Sequence, residues 1–158
     1  MKIESIGNDS YILFLSNDYI GTIDFDSKEE IGLYLKKIIV LLKNRYDLVL
    51  RGFYEVNIYI NEKIGLFIEI ENIEDYDFLT EDIDLRIVVH FDSDVYFKTD
   101  NYDVISNYSR IKFLNDNYYV SVEDISVNDI VKLIESGDFI YGDSCNKIDR
   151  GIFIINKN

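Results

Sequence analysis

A single histidine, His90, stands in the segment Arg86-Ile87-Val88-Val89-His90-Phe91-Asp92-Ser93-Asp94. Alternate side chains of an extended strand share a face. His90, Asp92 and Asp94 would therefore offer one imidazole and two carboxylates together, a set that a divalent metal can use. Three polar residues at alternate positions also arise by chance among thirty Asp and Glu residues, so neither a metal nor another cofactor is expected. Cys145 is the one cysteine, which excludes an intrachain disulfide. A nucleophilic cysteine needs its thiolate stabilised, and acidic surroundings do the opposite, so Cys145 reads as an incidental loop cysteine. Asp24-Phe25-Asp26-Ser27-Lys28 begins like a calcium loop but lacks its later glycine and glutamate, and Ser27 is better used as a helix cap. The chain carries no G-x-S-x-G elbow, no glycine-rich phosphate cradle and no H-E-x-x-H. No nucleophile, base or ligand set assembles from the sequence, and the expectation is a protein that is not an enzyme.

Charge is the stronger signal. Sixteen basic residues face thirty acidic ones, for a net charge of −14. Such a chain repels nucleic-acid backbones and anionic membrane surfaces and suits a basic protein surface. The acids are uneven. Glu69 to Asp103 holds twelve of them against Arg86 and Lys98, while Lys28 to Arg51 holds six of the sixteen bases. The carboxylates of Glu74, Asp75, Asp77, Glu81 and Asp82 are the candidate partner-binding groups. Thirteen tyrosines add anchors that bury area yet keep a polar tip, with Tyr59 and Tyr119 the candidates on outer strand faces; the equal alternative is that helices cover that face too and make them core. Hydrophobic residues make up 47%, enough for a core, and no apolar run is long enough to cross a bilayer. The opening nine residues show no basic segment followed by an apolar one, and a cytoplasmic location is expected.

The elements that must position these groups follow from periodicity. Lys2 to Ile6 and Tyr11 to Ser16 read as strands around Gly7-Asn8-Asp9. Ser27-Lys28-Glu29-Glu30 is a capping box opening a helix to about Arg45, with Ile31, Leu35, Ile38, Ile39 and Leu42 on one face. Tyr54, Val56, Ile58 and Ile60, then Ile64, Leu66, Ile68 and Ile70, alternate around Asn61-Glu62-Lys63, with Phe67, Glu69 and Glu71 outside. A strand over Leu85 to Phe91 and a short helix or turn near Tyr102 to Tyr108 come next. A hairpin of Arg110 to Leu114 and Tyr118 to Glu123 follows, then a helix capped at Ser126 and closing strands over Phe139 to Tyr141 and Gly151 to Ile155. The predicted class is α+β, with mainly antiparallel sheet, one long and one shorter helix packed on one face. The acidic stretch divides it into a lobe of residues 1–72, a connector of 73–84 and a lobe of 85–158, with one continuous domain as the alternative. Pro, Trp, Ala and Gln are absent, so the helices form without their best former and depend on burial.

The opening Met1-Lys2-Ile3-Glu4-Ser5-Ile6, followed by Ile12-Leu13-Phe14-Leu15-Ser16-Asn17-Asp18, resembles the start of MecA-type adaptor proteins of the Clp protease. Tyr102-Asp103-Val104-Ile105 with Asn117-Tyr118-Tyr119-Val120 is similar to the segment entering a hairpin in that family's second domain. The resemblance implies an adaptor whose first domain captures a client and whose second docks on the Clp ATPase. The alternatives are an acidic inhibitor of a basic enzyme, such as an immunity protein or a nucleic-acid mimic, and a metal-dependent enzyme built on His90, Asp92 and Asp94.

Overall fold

The computed structural model describes residues 2–6, 10–18, 23–46, 51–75 and 82–155. The chain divides into two compact units, Met1–Ile60 with Gly65–Phe91, and Asn61–Ile64 with Asp92–Asn158.

In the first unit, β1 (Lys2–Ser5), β2 (Ser10–Ser16), β3 (Gly52–Asn61), β4 (Gly65–Glu74) and β5 (Ile83–His90) form a sheet in the order β1-β2-β4-β3-β5. Period-two alternation sends Leu13 and Leu15 of β2, Tyr54, Val56 and Ile58 of β3, and Leu66, Ile68 and Ile70 of β4 into one core. Helix α1 (Lys28–Tyr46) completes that core with Ile31, Leu35, Ile38, Ile39 and Leu42, the face that the helical spacing predicts. Its start is fixed by Ser27, whose Oγ accepts from the Glu30 amide at 3.3 Å. Phe67, expected outside, is 5% exposed and lies ring to ring with Phe14 at 5.1 Å, so this sheet buries side chains on its second face too. Strand β5 pairs with β3 in parallel, from Gly52↔Ile83 to Tyr59↔His90. No crossover helix is needed, because β4 has already carried the chain back to the start of β3. The expected second lobe from residue 85 therefore does not begin with this strand, which completes the first sheet; the division falls after Phe91.

In the second unit, β6 (Val95–Thr99), β7 (Arg110–Leu114), β8 (Asn117–Ser121), β9 (Asp138–Tyr141) and β10 (Ile152–Ile155) form an antiparallel sheet ordered β10-β7-β8-β6-β9. The β7–β8 turn is Asn115-Asp116, both left-handed at φ 50° and 60°, the two-residue turn whose twist matches a hairpin. Three short helices accompany this sheet: α2 (Tyr102–Ile105), α3 (Val127–Leu133) and α4 (Cys145–Ile148). The described residues thus hold four α-helices rather than one long and one shorter. Ser126 caps α3, accepting from the Asp129 amide at 3.2 Å and donating to its carboxylate at 2.7 Å. Strand β6 was not foreseen, although it pairs with both β8 and β9. The 61–64 turn belongs with this unit. Asn61 donates to the Ser93 carbonyl at 3.0 Å, and the Lys63 ammonium donates to the Val122 and Glu123 carbonyls at 2.9 Å each.

Candidate interaction surface

The burial of β4 stops at Ile70. Beyond it Glu71, Ile73, Glu74 and Asp75 are exposed, as are Asp82 and Asp84 where the chain enters β5. Both ends of this acidic connection meet at one residue, Gly52, the first of β3. Its amide donates to the Asp82 carbonyl at 3.1 Å, and it holds φ at 119°. A Cβ there would overlap the Glu74 carbonyl and come 3.1 Å from Asp75 Cα. Only glycine combines that backbone angle with that approach. Asn72 then ties Asp75 by a 2.7 Å hydrogen bond. The result brings the backbones of Glu74, Asp75 and Asp82, all with exposed side chains, together at one end of the sheet, the acidic edge of this unit, beside an apolar side chain, Ile73, that is 52% exposed. Asp77 and Glu81, expected in the same group, lie outside the described residues.

The two tyrosines expected as anchors do not serve that role equally. Tyr119 is 8% exposed, and burial pushes its phenol above its ordinary pKa; it is core of the second unit and has little surface to offer. Tyr59 is half-buried and stacked on the His90 ring, with centroids 4.5 Å apart and planes 8° from parallel. The exposed large side chain of the acidic edge is Ile73, which strand alternation alone does not single out.

His90 closes β5 with its Nε2 3.1 Å from Asn57 Oδ1 and its ring on Tyr59. The strand ends there, and Asp92 turns to φ 49°, so the extended geometry that would align His90, Asp92 and Asp94 stops at its first member. Among the described residues no three His, Cys, Asp or Glu side chains gather as a metal site. Cys145, expected in a loop, begins α4 and is 3% exposed. Its thiol donates toward the Asp94 and Ile140 carbonyls at 3.3 and 3.5 Å. Burial first, then the nearby charges of Asp94 and Asp149, push its pKa up to about 12, which keeps the sulfur protonated and unreactive.

A polar cluster that sequence spacing does not reveal joins three elements of the second unit. The Tyr96 hydroxyl of β6 donates to Asp149 Oδ1 at 2.7 Å. The Lys112 ammonium of β7 reaches that same oxygen at 3.0 Å and the tyrosine oxygen at 3.2 Å. Burial, and then the bond to Asp149, raise the Tyr96 pKa. Lys112 is held above its ordinary value because its bonds to Asp149 and Tyr96 outweigh the opposing effect of burial. Tyr96 and Lys112 bond first and Asp149 is held low, so tyrosine and lysine keep their protons and the carboxylate stays charged. A general base requires the reverse. This cluster cross-links the sheet to the segment after α4. The partners are 16 and 37 residues from Lys112, and only a folded sheet brings them together.

No family model, curated protein or solved structure matches this chain. No helix among the described residues is long and apolar enough to cross a membrane.

Proposed function

We propose that this chain is a non-enzymatic interaction protein whose acidic edge receives a basic protein surface. The observation that carries the reading is the convergence of Glu74, Asp75 and Asp82 on Gly52 beside exposed Ile73. Exposed carboxylates on neighbouring stretches of backbone suit a facing cation-rich surface. An exposed isoleucine at the same edge adds area that only contact can cover. Within this class the resemblance of the opening strands favours an adaptor that delivers clients to a Clp-type protease from the cytoplasm. An inhibitor whose carboxylates fill the phosphate track of a basic enzyme uses the same edge.

The test is capture from host lysate at low salt, comparing the wild-type chain with the Glu74→Lys, Asp75→Lys, Asp82→Lys triple variant. A specific partner should be lost from the variant and weakened by salt, with at least about tenfold lower affinity. If the captured partner is an ATPase whose turnover rises on adding the chain, the adaptor reading stands. If it is a nuclease or toxin whose activity falls, the inhibitor reading stands. Equal capture by the folded triple variant would sink the assignment of this edge.

A further inference from the structure

The face of the first sheet turned away from α1 changes character along its length. Register sets its side chains in rows across β1, β2 and β4: Lys2, Phe14 and Phe67, then Glu4, Ile12 and Glu69. Ser10 and Glu71 pair next, and Ile6 joins them through its amide, which donates to the Ser10 carbonyl at 2.7 Å. Ile73 lies two residues beyond Glu71 on the same side of β4. In the first row Phe67 is buried. Two rows on, Ile6 is 51% exposed, and Glu4, Glu71 and Ile73 are exposed as well. The open end of this face is a band of aliphatic side chains, Ile6, half-buried Ile12 and Ile73. Carboxylates flank it on both sides, Glu4 on β1 and Glu69 and Glu71 on β4.

We propose that this band is the seat of a basic amphipathic helix supplied by a partner protein and laid along β2. This seat extends the acidic edge and rests on that reading, since Ile73 is common to both surfaces. Width and charge select the occupant. The face of a sheet is covered by a helix or by a second sheet. From β1 to β4 is two strand spacings, about 10 Å, which is the width of one helix. Within these rows three carboxylates face one cation, Lys2, which stands in the Phe14 row, away from the open end. Among the described residues neither Glu4 nor Glu71 forms an ion pair. The other charges of this face are on β3 and β5, where Arg86 bridges Glu55 at 3.5 Å and Asp84 adds a further carboxylate. A helix with aliphatic residues at i, i+3, i+4 and i+7, and Lys or Arg on both sides of that stripe, would cover the isoleucines and set its cations on Glu4 and Glu71.

The test uses the purified chain and two synthetic Leu/Lys peptides of about five helical turns. One has its leucines at helical spacing; the other has the same residues scrambled so that no apolar face forms. In fluorescence anisotropy the first should bind at least about tenfold more tightly, and the amide shifts it moves should fall on β1, β2 and β4. Ile6→Ser with Ile73→Ser, at two exposed sites, should keep circular dichroism and melting unchanged. It should weaken the helical peptide at least about tenfold and the scrambled one less than about twofold. Glu4→Lys with Glu71→Lys alters the flanks without touching an apolar side chain, and should also weaken the helical peptide at least about tenfold. Equal affinity of the wild type for the two peptides overturns the proposal. So do shifts that fall outside these strands, or a helical peptide that binds either double variant as tightly as the wild type. The acidic-edge reading fails by another result, undiminished capture by the Glu74→Lys, Asp75→Lys, Asp82→Lys variant, so the two failures are distinguishable.

Discussion

The two units solve the same problem by different means. The first relies on aliphatic burial. One 19-residue helix and three strands supply an uninterrupted core of Leu, Ile, Val and Tyr, and their charges remain on the surface. The second has strands of four or five residues and no helix longer than seven, so less of each element can be buried. It adds polar links at part-buried and exposed positions: the lysine, tyrosine and aspartate cluster, the thiol on two carbonyls, and the Lys63 ammonium on two more. Apolar burial tolerates any pH, whereas a link made of titrating groups holds only while its members keep the required charges. The comparison assigns different vulnerabilities to the two halves of one chain.

The largest effect should come from the core of the first unit. Leu35, fully buried on α1, lies in the core of the first unit. Leu35→Ala should cost about 3–4 kcal/mol in urea denaturation, through lost transfer energy and the cavity left behind. A loss below about 1 kcal/mol would show that the helix adds little to the sheet and would break the contrast.

Next comes the start of β3. Gly52→Ala should cost about 2–3 kcal/mol, since the new side chain meets both an unfavourable φ and the Glu74 backbone. It should also move the acidic edge, visible as changed amide shifts at Asp75 and Asp82. A fully stable variant with unmoved shifts would mean that the glycine is not what gathers these carboxylates.

The smallest effect sharpens the contrast in the second unit. Tyr96→Phe removes the hydroxyl that bonds Asp149 and accepts from Lys112, and should cost about 1 kcal/mol at neutral pH. The folded Asp149 pKa lies below its ordinary 3.8, so its contribution is present above that value and is lost as pH falls through the folded pKa. Thermal melts between pH 2 and 5 should therefore show a shallower acid limb in Tyr96→Phe than in the wild type. Parallel limbs would remove this link from the account of the second unit.

Most of the first unit was legible in the sequence because its patterns are long. The ten-residue β3 and the apolar face of α1 repeat their period several times, and the Ser27 and Ser126 caps are local motifs. Where the pattern is brief or the determinant distant, sequence failed. Strand β6 shows its alternation only at Val95, Phe97 and Thr99, inside an acidic stretch that reads as loop. Phe67 alternates with inward residues and so falls on the other face; period two separates the faces of a strand without saying whether the second is covered, and here it is. For the same reason the sequence leaves Tyr119 open between anchor and core, and it is buried. The parallel pairing of β5 with β3 is a choice of edge made by the whole sheet. At the candidate site, the charges were readable, but their convergence on Gly52 depends on a backbone angle that no side-chain pattern encodes.

The position of β3 between β4 and β5 has a consequence for the nascent chain. Until residues 83–90 leave the ribosome, one edge of β3 has no hydrogen-bonding neighbour, and Gly52-Phe53-Tyr54-Glu55-Val56-Asn57-Ile58-Tyr59-Ile60 is rich in residues that favour cross-strand aggregation. The acids of 71–84 are synthesised during that interval and sit next to the open edge in the chain. Their mutual repulsion would hold neighbouring nascent chains apart until β5 closes the sheet, a gatekeeping duty that ends when folding does.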